Sequence, residues 1–115
     1  MKKSISLIGM AGAGKSSIGK KLADHLGFSL IDSDLLIETE YRESLQQVLD
    51  RFGKEDFLKI EEKVLISIEF NNTVLATGGS AIFSELAMDY IRKSSSIIFI
   101  EASYDKIIDL SLIHI

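Results

Sequence analysis

Apolar positions along this chain alternate between short blocks and helical stripes. Residues 4–8 form an apolar run stopped by glycines, the pattern of a buried strand. Over residues 16–26, Ile18, Leu22 and Leu26 recur at four-residue spacing and define one helix face, with Gly27 in the usual place of a C-cap. Residues 28–31 read as a second strand, stopped by Asp32-Ser33-Asp34. A helix is expected over 34–42. Ser44-Leu45-Gln46-Gln47 then has capping-box spacing, and Leu45, Val48, Leu49 and Phe52 share a face that Gly53 closes. A longer helix is expected over 55–70 on the stripe Phe57, Ile60, Val64, Leu65 and Ile68, followed by a turn at Asn71-Asn72. Residues 73–76 are a third strand ending in Thr77-Gly78-Gly79-Ser80. A helix over 85–93 with Ser84 as N-cap follows, and residues 96–100 form a fourth strand.

Strands that take turns with helices predict an α/β domain with a parallel sheet. Ligands of such sheets bind at the carboxyl ends of the strands. Three of the four expected strands end in candidate chemistry: a glycine loop, Asp32-Ser33-Asp34, and Gly78-Gly79-Ser80.

Composition agrees with one modest globular domain. The 115 residues are 46% hydrophobic and 26% charged, which suits a packed core and argues against disorder. The formal net charge of -4 excludes a broadly basic nucleic-acid surface, so any phosphate-binding charge must be local. No cysteine is present, which excludes disulfides, thiolate metal sites and a cysteine nucleophile. The N-terminal apolar run is short for a signal peptide, and no segment reaches the ~20 apolar residues of a membrane span. A cytoplasmic protein with no membrane or nucleic-acid partner is expected.

Gly9-Met10-Ala11-Gly12-Ala13-Gly14-Lys15-Ser16 matches the P-loop pattern, between an expected strand and an expected helix. Glycines let successive backbone N–H groups curl toward one anion, and the helix N-terminus adds favourable partial charge. Lys15 is then expected at the β- and γ-phosphates of ATP and Ser16 on Mg²⁺. Asp32 and Asp34, two residues apart at a strand end, point the same way if extended. One suits a water-mediated Mg²⁺ ligand and the other an acceptor hydroxyl; the alternative is that one of them caps the next helix. Glu61 falls within an apolar stripe, where a buried charge is costly unless paired. It pairs with a base, helps build a polar pocket, or sits at the edge with its head in water. His25, beside Asp24, reads as a surface residue.

These residues together resemble the shikimate kinase family: the P-loop, the run from Phe28 to Asp34 with Ile37-Glu38 after it, Gly53, Phe57 and Glu61, and Thr77-Gly78-Gly79-Ser80, in that order and spacing. The resemblance implies a P-loop NTPase-type three-layer sandwich and transfer of the γ-phosphoryl group of ATP to the 3-hydroxyl of shikimate, a step of aromatic amino-acid biosynthesis. It implies Lys15 and Asp34 as catalytic residues, with Asp34 holding the substrate hydroxyls. It further implies Asp32 behind Mg²⁺, Gly78 and Gly79 at the substrate, and Glu61 positioning a substrate-binding arginine. Two positions depart from the family pattern. Leu58 stands where the family usually has that arginine, and leucine cannot grip a carboxylate. Lys59 is adjacent but roughly 100° round the helix. Ser80 replaces a third glycine. Other readings are a related kinase for gluconate, homoserine or a similar hydroxylated metabolite, and a nucleotide-binding protein that transfers no phosphate.

The family's lid, fifth strand and adenine-binding loop are expected beyond this chain, which by itself is expected to be inactive. Residues 1–109 are therefore read as a partial kinase domain with four strands, acting on a small molecule as a monomer. The last six residues, Leu110-Ser111-Leu112-Ile113-His114-Ile115, resemble a translated sequencing adapter and are read as a non-native tail, which removes His114 from the candidate ligands.

Overall fold

The computed structural model describes residues 4–9, 15–78 and 84–100, with only the backbone described at residues 15 and 16. Residues 10–14, Gly79, Ser80 and the expected tail at 110–115 lie outside the described residues, as do the side chains of Lys15 and Ser16.

The element order is β1 (Ile5–Gly9), α1 (Lys15–Leu26), β2 (Ser29–Asp32), α2 (Ser33–Tyr41), α3 (Leu45–Ile66), β3 (Thr73–Ala76), α4 (Glu85–Ser94) and β4 (Ser96–Ile100). The four strands form one sheet in the order β2-β3-β1-β4, and every pairing is parallel. The chain crosses from β1 to the far edge at β2, reverses to β3, and then passes over β1 to β4. With right-handed crossovers, that reversal places α1 on one face and α3 and α4 on the other.

Side-chain alternation along the strands feeds both layers. Ile5, Leu7, Val74 and Ile100 pack with Ile18, Leu22 and Ala23 of α1. Leu75 packs on the opposite face with Leu65, Ile68, Ala87 and Ile91. A third cluster, Ile37, Val48 and Val64 with Tyr41, Phe52 and Phe57 around it, joins α2 to α3. Gly19 lets α1 lie close to the sheet, because a Cβ there would meet Leu30 at 3.2 Å and Leu7 at 3.4 Å. The few polar groups in the core are paired. The Ser6 and Ser95 hydroxyls are 2.7 Å apart, and Ser95 Oγ donates to the Ile91 carbonyl.

The expected strands and helices are all present, with several ends shifted by one residue and one helix ending four residues early. The helix after β2 starts at Ser33, one residue early, because the Asp32 carboxylate caps it. The two helices expected on either side of Gly53 are both present and together make up α3, which breaks where expected at the non-helical Gly53 (φ 82°, ψ 165°). The second segment stops at Ile66 instead of residue 70. Ser67 caps it, donating from both N–H and Oγ to the Val64 carbonyl. The apolar stripe continues past that stop because Ile68, 4% exposed, is buried by the connection itself. Two caps form as their spacing predicts. Ser44 and Gln47 make a reciprocal capping box, and Ser84 Oγ accepts from the Ala87 N–H at 3.0 Å. His25 is exposed. Among the described residues, no helix is long and apolar enough to cross a membrane.

Candidate active site

In-register pairing of Asp32 with Ala76, and of Ala76 with Leu7, sets the ends of β2, β3 and β1 side by side. Neighbouring strands lie about 5 Å apart, so the three chain segments singled out in the sequence share one edge of the sheet. Gly9 closes β1 opposite Ile100. A Cβ at Gly9 would overlap the Ile100 carbonyl oxygen, so the first loop glycine also serves the close approach of β1 to β4.

The two aspartates divide the alternatives between them. Asp32 Oδ1 accepts from the N–H groups of Asp34 at 3.0 Å and Leu35 at 3.2 Å, which makes it the cap of α2. Asp34 instead sends its carboxylate toward Gly78. Glu61, only 2% exposed, reaches the same point from α3, which removes the reading of its head in water. A Cβ on Gly78 would overlap Asp34 Oδ1 and come within 2.7 Å of Glu61 Oε2. Two carboxylates from different helices thus face one glycine at the end of β3, and only glycine leaves them room.

The backbone at that junction is fixed by two residues that the sequence reading quoted within its motifs without giving them a role. Thr77 donates from both N–H and Oγ1 to the Leu7 carbonyl, at 3.2 and 2.9 Å, which carries the β1–β3 contact one residue past the ladder. The fully buried Ser33 hydroxyl accepts from the Gly78 N–H at 3.2 Å. Their signal was present: each is a small hydroxyl residue beside a candidate carboxylate or glycine. Glu62 accepts from the Ser84 hydroxyl at 2.5 Å, which ties α3 to the start of α4.

Leu58 is half-buried and lines a groove of ≈ 430 Å³ with Leu49, Phe57 and Lys54. Lys54 stands four residues before Leu58 and so on the same helical face. A larger hollow of ≈ 610 Å³ lies against α4 and β4, at the other edge of the sheet from Asp32. Its described lining residues, Glu85, Met88, Asp89, Arg92 and Phe99, include none of the candidates.

A parallel sheet of this order, with a glycine-rich sequence after β1 and acidic side chains gathered near the neighbouring strand ends, defines an α/β domain of the P-loop kinase fold. The family model for shikimate kinase (SKI) matches residues 11–111, and the chain belongs to that family. It is 35% identical over 106 residues to a shikimate kinase of Haemophilus influenzae strain PittEE, covering 91% of this chain and 59% of the relative. It is 40% identical over 106 residues to one from Francisella tularensis subsp. novicida, covering 90% and 60%. Among solved structures, shikimate kinase from Bacteroides thetaiotaomicron superposes with a TM-score of 0.79 at 31% identity, over 84% of this chain and 57% of that one. Shikimate kinase from Acinetobacter baumannii in complex with shikimate superposes with a TM-score of 0.79 at 30% identity, over 87% and 56%. The chain therefore spans 59–60% of the length of these curated relatives.

Proposed function

We propose that the complete protein transfers the γ-phosphoryl group of ATP to a hydroxyl of shikimate, in the cytoplasm and as a monomer. The observation that carries this reading is the meeting of Asp34 and Glu61 at Gly78. A domain that only held nucleotide would have no use for two carboxylates there. Membership of the family and the relative crystallised with shikimate support the choice of acceptor.

In this reading Gly9, Ala11, Gly12, Ala13 and Gly14 offer backbone N–H groups to the phosphates, and Lys15 offers its ammonium to the β- and γ-phosphates. Asp34 accepts a hydrogen bond from the acceptor hydroxyl, orients it, and takes its proton as the new P–O bond forms. Gly78 and Gly79 form the floor against which the acceptor lies. Glu61 keeps a second acceptor oxygen beside Asp34, where the next hydroxyl of a polyol can donate.

The donor set fits Mg²⁺ bound with the nucleotide. Such an ion takes one or two protein oxygens and otherwise phosphates and water. Ser16 would supply its hydroxyl, and Asp32, held in place by two N–H groups on Oδ1, would hold an ordered water. When bound, the ion neutralises charge that develops between the β- and γ-phosphates.

Shikimate-dependent ADP release by the complete protein is expected, and Asp34→Asn is expected to lower kcat by about 100-fold or more, as loss of a positioned general base does. Turnover that survives this substitution would remove Asp34 from the mechanism. Leu58 favours a second reading, in which the acceptor is gluconate, homoserine or another small hydroxylated metabolite. Screening those acceptors in the same assay separates the two.

A further inference from the structure

A strand offers its N–H groups alternately to the neighbours on its two sides. At the end of β3 the Thr77 N–H goes to β1, at the Leu7 carbonyl, so the Gly78 N–H faces the side of β2. No strand is left there. β2 ends at Asp32, paired with Ala76, and the chain turns into α2 at Ser33. The Ser33 hydroxyl takes the place of the missing rung and accepts from the Gly78 N–H at 3.2 Å. The bond is buried, and a buried N–H without an acceptor is costly.

The same helical turn carries Asp34. Ser33 and Ile37, four residues apart and both 0% exposed, face inward from α2. Asp34 lies roughly 100° round from Ser33. A Cβ on Gly78 would overlap Asp34 Oδ1, so that oxygen lies against the α-carbon of the glycine. Adjacent residues of α2 therefore hold one glycine, a hydroxyl on its N–H and a carboxylate beside its α-carbon. Asp32 pins the same turn from its start, through the N–H groups of Asp34 and Leu35. Without the Ser33 oxygen, an orphaned donor would stand beside an ionised acceptor, and such pairs form the stronger hydrogen bonds. The Asp34 carboxylate would turn onto the backbone of Gly78.

We propose that Ser33 is a positioning residue for phosphoryl transfer: by occupying the Gly78 N–H, it keeps the Asp34 carboxylate aimed at the acceptor hydroxyl. The inference rests on the kinase reading above and deepens it by naming what holds the base in place. Ser33 is fully buried and acts only through Asp34 and Gly78.

The test is a double-mutant cycle on the complete protein, read by ADP release with shikimate and by thermal melts. Ser33→Ala is expected to lower kcat on the order of 10- to 100-fold, while KM for ATP moves less than about threefold. The melting temperature should fall by a few degrees, for one lost hydrogen bond. In the Asp34→Asn background no base is left to aim, and adding Ser33→Ala should change kcat by less than about threefold. Ser33→Thr keeps the oxygen and should retain most of kcat. If Ser33→Ala does not melt cooperatively, Ser33→Cys, a weaker acceptor of similar shape, carries the same cycle with the same outcomes. An unchanged kcat in the folded Ser33→Ala variant overturns the inference and leaves the kinase reading standing. Equal losses in the two backgrounds also overturn it, since they mark general damage and not a misplaced base. So does a loss in Ser33→Thr as large as in Ser33→Ala. If the unsubstituted protein shows no acceptor-dependent turnover, both readings fall.

Discussion

One methyl group added at Gly78 would press on Asp34 Oδ1 and stand 2.7 Å from Glu61 Oε2. Both neighbours are the ends of side chains, so the carboxylates give way before the backbone does. Gly78→Ala is therefore expected to leave the melting temperature within a few degrees and to cut acceptor-dependent kcat by about 100-fold, the cost of a misplacement near 1 Å. A thermal melt beside the coupled assay checks both halves; a large loss of stability with normal turnover in the surviving protein would contradict it. At this scale the sequence singled out Asp34, Glu61 and Gly78 by their place in the motifs that resemble the family. It left both aspartates open between capping and function, since a carboxylate at a strand-to-helix junction serves either and only its hydrogen bonds distinguish them. Ser33 and Thr77 were quoted within the motifs but given no role of their own. A serine or threonine is common in any chain, and its meaning here comes from partners 45 and 70 positions away.

Among the elements, α3 is the one whose conformation depends most on a single residue. Gly53 has φ 82° and ψ 165°, a region essentially closed to residues with a Cβ. No atom lies within 4 Å of the space a Cβ would fill, so the penalty at this site is conformational and not steric crowding. Gly53→Ala is expected to destabilise by about 1–3 kcal/mol, read by chemical denaturation. A variant as stable as the parent would mean that the kink relaxes freely. Gly19 offers the opposite balance. Alanine there gains about 1 kcal/mol of helix propensity but crowds Leu30, which is 40% exposed and able to move. Gly19→Ala should be close to neutral and Gly19→Val destabilising by about 1–3 kcal/mol, measured the same way. Element types were legible because the apolar spacing changed from strand to helix period at clear breaks. The break at Gly53 was legible as well, as a glycine that closes one apolar stripe before the next begins. The early stop at Ile66 was hidden by Ile68, an apolar residue in helical register that is buried from a non-helical connection.

For the whole molecule, the alternation of strands and helices was enough for the α/β class and the parallel sheet, and the P-loop placed the first strand before a helix. The order β2-β3-β1-β4 was not written in any local pattern, because it depends on which way each crossover turns. That order has a measurable effect on local stability. β1 is paired on both sides and covered on both faces, whereas α2 and the first part of α3 rest on a cluster of their own. Amide hydrogen exchange should therefore be slowest across Ile5–Gly9 and β3, near the global unfolding limit, and faster across residues 33–52. Equal protection of the two regions would show a single cooperative unit.

The central place of β1 also has a consequence for the chain during its synthesis. Among the described strands, β1 pairs with residues 73–76 and 96–100, both made well after it. At the usual pace of translation, about 5–20 residues per second, the apolar N-terminal segment waits roughly 3–13 s before β3 even exists. During that interval Ile5, Leu7 and Ile8 have no strand to pair with, so the nascent chain presents a hydrophobic stretch suited to a holding chaperone well before it presents a sheet.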